Sequence, residues 1–285
     1  MNSLYKKWVK QFTFAEMEKD SIGGDVTTET LFAAKETGCA SILAKEAGIF
    51  AGRQEIEFFL NGLKNVSYEF FKKDGEKISA GDEILRVNGH IRTLLKAERI
   101  ILNLFGRMSG VATKTRQIVD KIRNPHVLIT PTRKTLWGML DKRACLLGGG
   151  GTHRFNLSDA VLIKDNHLDL MARDISLALS RFKKIKRARF LEIEVENFGE
   201  AVQAAEVLQN FKLPCLIMLD NMKPVEIKRV ILELKKRDHK NIKIEASGEI
   251  NEKNVTFYAK AGVDVISMGC LTKNAKSLDF SMDVK

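Results

Sequence analysis

Five positions that each close an apolar run mark the part of the chain able to do chemistry. Lys164 follows Ala-Val-Leu-Ile, Glu194 follows Phe-Leu-Glu-Ile and Asp220 follows Leu-Ile-Met-Leu; Ser247 follows Ile-Glu-Ala and Gly269 follows Val-Ile-Ser-Met. Successive steps are about 20–30 residues, the length of one strand plus one helix. Parallel strands send their carboxyl ends to one edge, so the five positions should meet there. A lysine in such a place either stays charged and holds an anion or, as a free amine, attacks a carbonyl. Carboxylates on two consecutive strands, Glu194 and Asp220, suit Mg2+ carried partly by substrate phosphates, or else pair with nearby cations. Ser247-Gly248 and Ser267-Met268-Gly269 end the last two strands, where backbone N–H groups commonly hold phosphate.

Other residues extend this set. Thr132-Arg133-Lys134-Thr135 follows a predicted strand and offers two cations and two hydroxyls to carboxylate or phosphate oxygens. Gly148-Gly149-Gly150-Gly151 precedes Thr152-His153-Arg154. Glycines let a backbone approach a ligand, although a surface loop would use them too. Glu192 shares the face of Glu194 by the two-residue period of a strand, and Glu245 is a further carboxylate candidate. Arg99 lies within a very apolar helical stretch, and its two readings are a salt bridge to Glu98 or a ligand contact.

The elements that must position these residues fall into two regions. In the first hundred residues Asp25-Val26-Thr27-Thr28 reads as a loop after a short helix, and Cys39 to Ile49 alternates like a strand. Asp74-Gly75-Glu76 and Ala80-Gly81-Asp82-Glu83 are turn signals between short strands, which together suggest a small α+β sheet domain. From Thr93 to about Lys121 the pattern is helical, with more apolar positions than one stripe, so this helix should be buried on several sides. Strands are predicted near 127–130, 160–164, 189–195, 215–219, 242–246 and 264–268, and helices near 168–182, 199–210, 224–237 and 251–261. Asn251 is a candidate cap and Pro224 fits a first turn. Six strands alternating with helices fit a closed or nearly closed α/β barrel, and no G-x-G-x-x-G follows the first strand to suggest a dinucleotide fold.

Bulk properties narrow the function classes. The chain has 285 residues, 44% of them hydrophobic, enough for one large domain or two modest ones. No apolar run is long enough to span a membrane, and the start from Met1 to Trp8 has no signal-peptide core, so a cytoplasmic protein is expected. Cys39, Cys145, Cys215 and Cys270 form no C-x-x-C pair, and Cys215 reads as a small core residue. The net charge of +11 admits a nucleic-acid binder. Against that, the basic runs at 183–187 and 235–237 look like solvated helix faces with few interleaved aromatics. The excess of cations suits a small polyanionic substrate equally well.

Taken in order, these segments resemble the quinolinate phosphoribosyltransferase family, the carboxylating nicotinate-nucleotide pyrophosphorylases. The resemblance runs from Asp25-Val26-Thr27-Thr28 through Glu98-Arg99, Leu102-Asn103, Ser109-Gly110-Val111-Ala112-Thr113 and Thr132-Arg133-Lys134-Thr135. It continues with His153-Arg154, Leu162 to His167, Leu219-Asp220-Asn221 and Glu245-Ala246-Ser247-Gly248. It implies an N-terminal α/β sandwich domain (residues 1–106, with a tail at about 273–285 returning to it). A C-terminal incomplete α/β, TIM-like barrel would follow over residues 107–272. The implied activity is phosphoribosyl transfer from phosphoribosyl pyrophosphate to quinolinate with decarboxylation, in NAD biosynthesis. By the same resemblance Arg133, Lys134, His153, Arg154 and Lys164 line the pyridine dicarboxylate site, and Thr132 is among the substrate-binding residues. Glu194 and Asp220 face the ribose and Mg2+. Ser247, Gly248, Glu249 and Gly269 hold or adjoin the 5-phosphate. Lys134, Lys164, Glu194 and Asp220 are the catalytic set, and Arg99 reaches into the active site of a partner in a homodimer or higher homo-oligomer.

The chain departs from the family pattern in three places. Leu136-Trp137-Gly138-Met139-Leu140 stands where the family has Thr-Pro-Gly and an arginine, in a segment about two residues shorter; Lys142 or Arg143 would have to supply the cation. Glu249 stands in place of the second glycine after Ser247, and the glycine run before His153 is longer than usual. Competing expectations are a paralogue with another aromatic acceptor, like the molybdenum-transport-associated relatives, a Schiff-base lyase using Lys164, and a nucleic-acid binder.

Overall fold

The computed structural model describes residues 3–183, 185, 187–237 and 242–285. Parts of the 183–187 basic run and of the Met1–Trp8 start (Lys184, Lys186, Met1 and Asn2) lie outside the described residues. The chain forms two compact units, one of residues 1–116, 146–149 and 275–285, the other of residues 117–145 and 150–274.

The first unit opens with helix α1 (Ser3–Asp20) and helix α2 (Val26–Leu31). Asp25 is the N-cap of α2, its carboxylate accepting the Thr28 N–H at 2.9 Å. The Asp-Val-Thr-Thr segment therefore starts a helix rather than forming a loop, because an aspartate followed by hydroxyl residues satisfies the free amides of a first turn. Strands β1 (Thr37–Ala44) and β2 (Gly48–Ile49), helix α3 (Arg53–Leu60), and strands β3 (Ser67–Phe70), β4 (Lys77–Ile78) and β5 (Glu83–His90) follow. The 32-residue helix α4 (Ile91–Ile122) comes next, contributing residues to this unit as far as Arg116. Leu104 to Ala112 are all buried, so this turn-rich stretch of α4 is enclosed on every side.

The second unit holds strand β6 (Leu128–Thr130), helix α5 (Met139–Leu147), strand β7 (Val161–Ile163) and helices α6 (Asp165–Asp169) and α7 (Ile175–Ser180). One helix was predicted over 168–182; Ala172 and Arg173 instead take left-handed backbone angles, φ 50° and 54°, which split it. Strand β8 (Leu191–Val195), helix α8 (Phe198–Leu208), strand β9 (Cys215–Asp220) and helix α9 (Pro224–Lys236) continue the alternation, with Pro224 in the first turn of α9. Strand β10 (Ile242–Ser247), helix α10 (Val255–Ala261), strand β11 (Val265–Ser267) and the short helix α11 (Cys270–Lys273) complete it. Asn251 does not cap α10; Asn254 occupies that position, and Asn251 orders the preceding turn by accepting the Lys253 N–H.

The six strands form one parallel sheet in the order β6-β11-β10-β9-β8-β7. Among the described residues β6 and β7 do not pair, so the sheet remains open where a closed barrel was a possible expectation. Strands β8 and β9 are buried almost throughout, as befits strands covered on both faces. The final strand β12 (Phe280–Val284) belongs to the first unit, whose antiparallel sheet runs β12-β1-β5-β3.

Gly148 and Gly149 serve packing rather than ligand approach. A Cβ at Gly148 would lie 2.3 Å from the Ala112 carbonyl oxygen, and one at Gly149 would lie 2.0 Å from an Arg116 guanidinium nitrogen. Gly148→Ala should therefore destabilise the protein by about 2 kcal/mol through overpacking against α4. A melting temperature unchanged from wild type would contradict this.

Candidate active site

The carboxyl ends of β6 to β11 surround a cavity of about 680 Å3. From the β6 end come Thr132, Arg133 and Lys134; the Thr132 hydroxyl accepts the Lys134 N–H at 3.1 Å and the Thr272 hydroxyl donates to the Lys134 carbonyl at 2.8 Å. Lys164 follows β7, where the His167 ring accepts its backbone N–H at 2.9 Å and so fixes the turn into α6. Its ammonium donates to Glu194 at the end of β8. Asp220 ends β9, one carboxylate oxygen accepting from the Asn221 amide at 2.6 Å. Burial pushes the Glu194 carboxyl above its usual range; Lys164 acts against this, and Asp220 and Asp165 add to it.

The turn after β10 has special backbone geometry. Gly248 sits at φ +91°, and a Cβ there would be 2.2 Å from the Asn221 side-chain oxygen, so only glycine fits. Glu249 is also left-handed, at φ 48°, while its carbonyl accepts from the side chains of Asn251 at 3.1 Å and Asn254 at 3.3 Å. Its side chain is exposed at the cavity wall. Gly269 follows β11 opposite Thr132 and Lys134.

On the wall of this cavity sits a cluster of three ionisable groups. His153 Nε2 is 2.9 Å from a Glu192 oxygen and 3.3 Å from a Glu245 oxygen, and both glutamates are fully buried. Burial, then the charge of Glu245, pushes the Glu192 carboxyl up to about 7. Burial also disfavours charge on the imidazole, but bonds to Glu192 and Glu245 outweigh it and raise its proton affinity. The Arg154 backbone N–H donates to His153 Nδ1 at 2.7 Å. Nearby, the buried Lys142 ammonium donates to the carbonyls of Arg154 and Phe155. Burial, Arg154 and Arg133 together bring its pKa down to about 8.

Thr132, Arg133, Lys134, His153, Arg154, Lys164, Glu194, Asp220, Ser247, Gly248, Glu249 and Gly269 all line this one cavity. Arg99 does not. The sequence placed it in a buried stretch, yet its side chain is 61% exposed and pairs with Glu98 at 2.5 Å, because it occupies the polar side of α4. Lys142 does not replace the missing cation of the Leu136–Trp137 segment, being committed to two main-chain carbonyls. The Gly148–Gly151 run does not line the cavity either. Sequence reasoning passed over Lys273, which lines the cavity from α11 without any motif to announce it. Asn221 also lines it, and its place beside Asp220 was the available signal.

An α/β-barrel enzyme for anionic substrates is the class this sheet and cationic cavity define. The chain matches the models of the quinolinate phosphoribosyl transferase N-terminal domain over residues 25–109 and C-terminal domain over residues 111–283. It is 36% identical over 277 residues to the "Probable nicotinate-nucleotide pyrophosphorylase [carboxylating]" of Methanothermobacter thermautotrophicus, covering 95% of this chain and 97% of the relative. It is 34% identical over 269 residues to the nicotinate-nucleotide pyrophosphorylase [carboxylating] of Mycobacterium leprae, covering 92% of each. The crystal structure of NadC from Streptococcus pyogenes superposes with a TM-score of 0.87 at 31% identity, over 100% of this chain and 99% of that one. The chain belongs to the quinolinate phosphoribosyltransferase family.

The depressed Lys142 pKa has a thermodynamic sign. Between about pH 8 and about pH 10 the unfolded chain keeps the Lys142 proton and the folded one releases it, so this residue makes stability rise with pH. Urea unfolding at a series of pH values should show that rise in the wild type relative to Lys142→Met; parallel curves would refute it.

Proposed function

We propose that this chain transfers the phosphoribosyl group of phosphoribosyl pyrophosphate to quinolinate, releasing pyrophosphate and CO2 and leaving nicotinate mononucleotide. The observation that carries the reading is the single cavity in which Arg133, Lys134, Arg154 and Lys164 stand with Glu194, Asp220 and the Ser247-Gly248 turn. Cations bind the two carboxylates of the acid, and the turn after β10 offers backbone N–H groups to the sugar 5-phosphate. The pyridine nitrogen attacks the anomeric carbon as pyrophosphate departs through an oxocarbenium-like state. Glu194 and Asp220 stabilise the positive charge that develops on the sugar. No covalent enzyme nucleophile is needed, and most of the acceleration comes from holding two mutually repelling anions in line. Ribosylation makes the ring nitrogen cationic, which draws the electron pair left at C2 when CO2 leaves; a proton then takes its place.

Glu194 and Asp220 present hard oxygen donors to the cavity, a set that suits Mg2+ shared with substrate phosphates. Bound there, Mg2+ would neutralise pyrophosphate charge. The pairing of the Lys164 ammonium with Glu194 supports an anion-binding lysine over a free amine poised for a Schiff base. The exposed Arg99 supports a homodimer in which this arginine completes the partner's site. All four cysteines are free, in keeping with a reducing, cytoplasmic setting.

Incubation with quinolinate, phosphoribosyl pyrophosphate and Mg2+ should release CO2 and pyrophosphate in equal amounts. Reaction with nicotinate or another aromatic acid, and none with quinolinate, would move the assignment to a paralogous activity. Arg99→Ala and Lys164→Ala should each lose at least about a hundredfold in kcat/KM, the scale of a lost charged contact. Mixing the two variants under conditions of subunit exchange should restore part of the activity, and no recovery would count against sites shared through Arg99.

A further inference from the structure

Lys142 is a buried cation to which the transfer chemistry assigns no step. It lies in α5, is 5% exposed and does not line the cavity. Its ammonium donates to the main-chain carbonyls of Arg154 and Phe155. Taking an ammonium out of water is costly, and neutral carbonyls offset only part of that cost. An apolar side chain of the same length would fill the space with less penalty. What the two bonds hold in place is therefore the informative question.

Residues 151–155 belong to no helix or strand, so side-chain donors stand in for a ladder. The Gly151 N–H ties the start of the segment to the Ile129 carbonyl of β6 at 2.7 Å. The His153 carbonyl accepts from the Thr152 hydroxyl at 3.0 Å and from the Arg189 guanidinium at 2.9 Å. The Phe155 N–H donates to the Asp159 carboxylate at 2.8 Å, and Asp159 also pairs with Arg189. With Lys142 on the next two, three consecutive carbonyls accept from cations. His153 is held left-handed at φ 52°, a conformation that a non-glycine residue keeps only where its surroundings impose it. Arg154, at the centre of the segment, lines the cavity, and its Nε is buried without a hydrogen-bond partner among the described residues. Burial, then the guanidinium of Arg133, works against its charge. Two guanidiniums close enough to repel suit an acid with two neighbouring carboxylates.

We infer that Lys142 is a positioning residue for acceptor binding: by holding the Arg154 and Phe155 carbonyls, it keeps the Arg154 guanidinium beside Arg133 where the carboxylates of the acid bind. It acts through the main chain and touches neither substrate. Its charge strengthens both bonds, so neutralising it loosens the segment. The groups facing the ammonium are the Arg154 and Arg133 guanidiniums, the Asp159 carboxylate and the Cys145 thiol. A thiol ordinarily titrates in the same range as this lysine, so Cys145 has its own control below. The identity of the acceptor rests on the quinolinate reading; the hold on the Arg154 main chain does not.

Steady-state kinetics with Mg2+ test this. At neutral pH, Lys142→Met should raise KM for quinolinate about tenfold, the scale of a lost hydrogen bond to a charged group, with kcat and KM for phosphoribosyl pyrophosphate within about twofold. Lys142→Arg keeps the charge and the donors and should stay within about threefold of wild type. In the wild type KM for quinolinate should climb as the pH passes about 8 and the ammonium becomes an amine. Lys142→Met and Lys142→Arg do not titrate there and should lack the climb, whereas Cys145→Ala should keep it. Equal rises in both KM values in Lys142→Met overturn the inference, as does a climb that survives in Lys142→Arg or vanishes in Cys145→Ala. If Lys142→Met does not fold, the pH profile of Lys142→Arg decides alone. Calorimetry with phthalate, which has two adjacent carboxylates and no ring nitrogen to react, separates this inference from the assigned activity. Phthalate binding about tenfold weaker in Lys142→Met, with no turnover of quinolinate by the wild type, sinks the activity and leaves the inference standing. Equal phthalate binding by the two proteins overturns the inference, and binding of neither acid to the wild type overturns both.

Discussion

Parallel pairing with zero offset is the constraint on which the site depends. Asp220 lies level with Ser247 across the β9–β10 ladder, and Glu194 lies level with Met218 across β8–β9, two strand residues short of that row and so on the same face. Because every strand runs the same way, each polar residue that ends an apolar run is delivered to the same edge. A slip of one residue in any of these strands would turn its carboxylate from the cavity into the helix layer. The apolar residues that fix this register, such as Ile193, Ile217 and Ala246, are fully buried, so burial of the sheet and geometry of the site are set by the same contacts.

Charge in the second unit is ordered by depth. Lys142, Glu192 and Glu245 are buried, Lys142 donating to two main-chain carbonyls and the two glutamates facing the His153 ring, whereas Arg133, Lys134 and Lys164 stand nearer the solvent. Placing the excess cations at the mouth avoids the large cost of burying unpaired charge. It also leaves the mouth with a positive potential for anions.

Much of this was legible in the sequence because strands and the residues ending them are local patterns. Apolar runs located the six parallel strands, and the rungs at Lys164, Glu194, Asp220, Ser247 and Gly269 follow from those ends. What failed to be legible depends on neighbours distant in sequence. The purpose of Gly148 is set by Ala112 and Thr115, and that of Lys142 by two carbonyls beyond the glycine run. Arg99 could not be seen as exposed, since an apolar helix pattern does not say which of its few polar positions faces outward. Capping was misread twice, at Asp25 and Asn251, where the side-chain geometry of a turn decides the helix start.

Strand β12 pairs with β1 across almost the whole sequence, Ala40 opposite Val284 and Ala44 opposite Phe280. During synthesis, β1 leaves the ribosome long before its neighbour is made, and the entire second unit is translated in between. The first unit's sheet thus waits through synthesis of the second unit with a bare margin of unpaired amides and carbonyls, a template for wrong partners. Its last hydrogen bonds can close only once β12 has followed that whole unit off the ribosome, which ties the finished state of one unit to completion of the other.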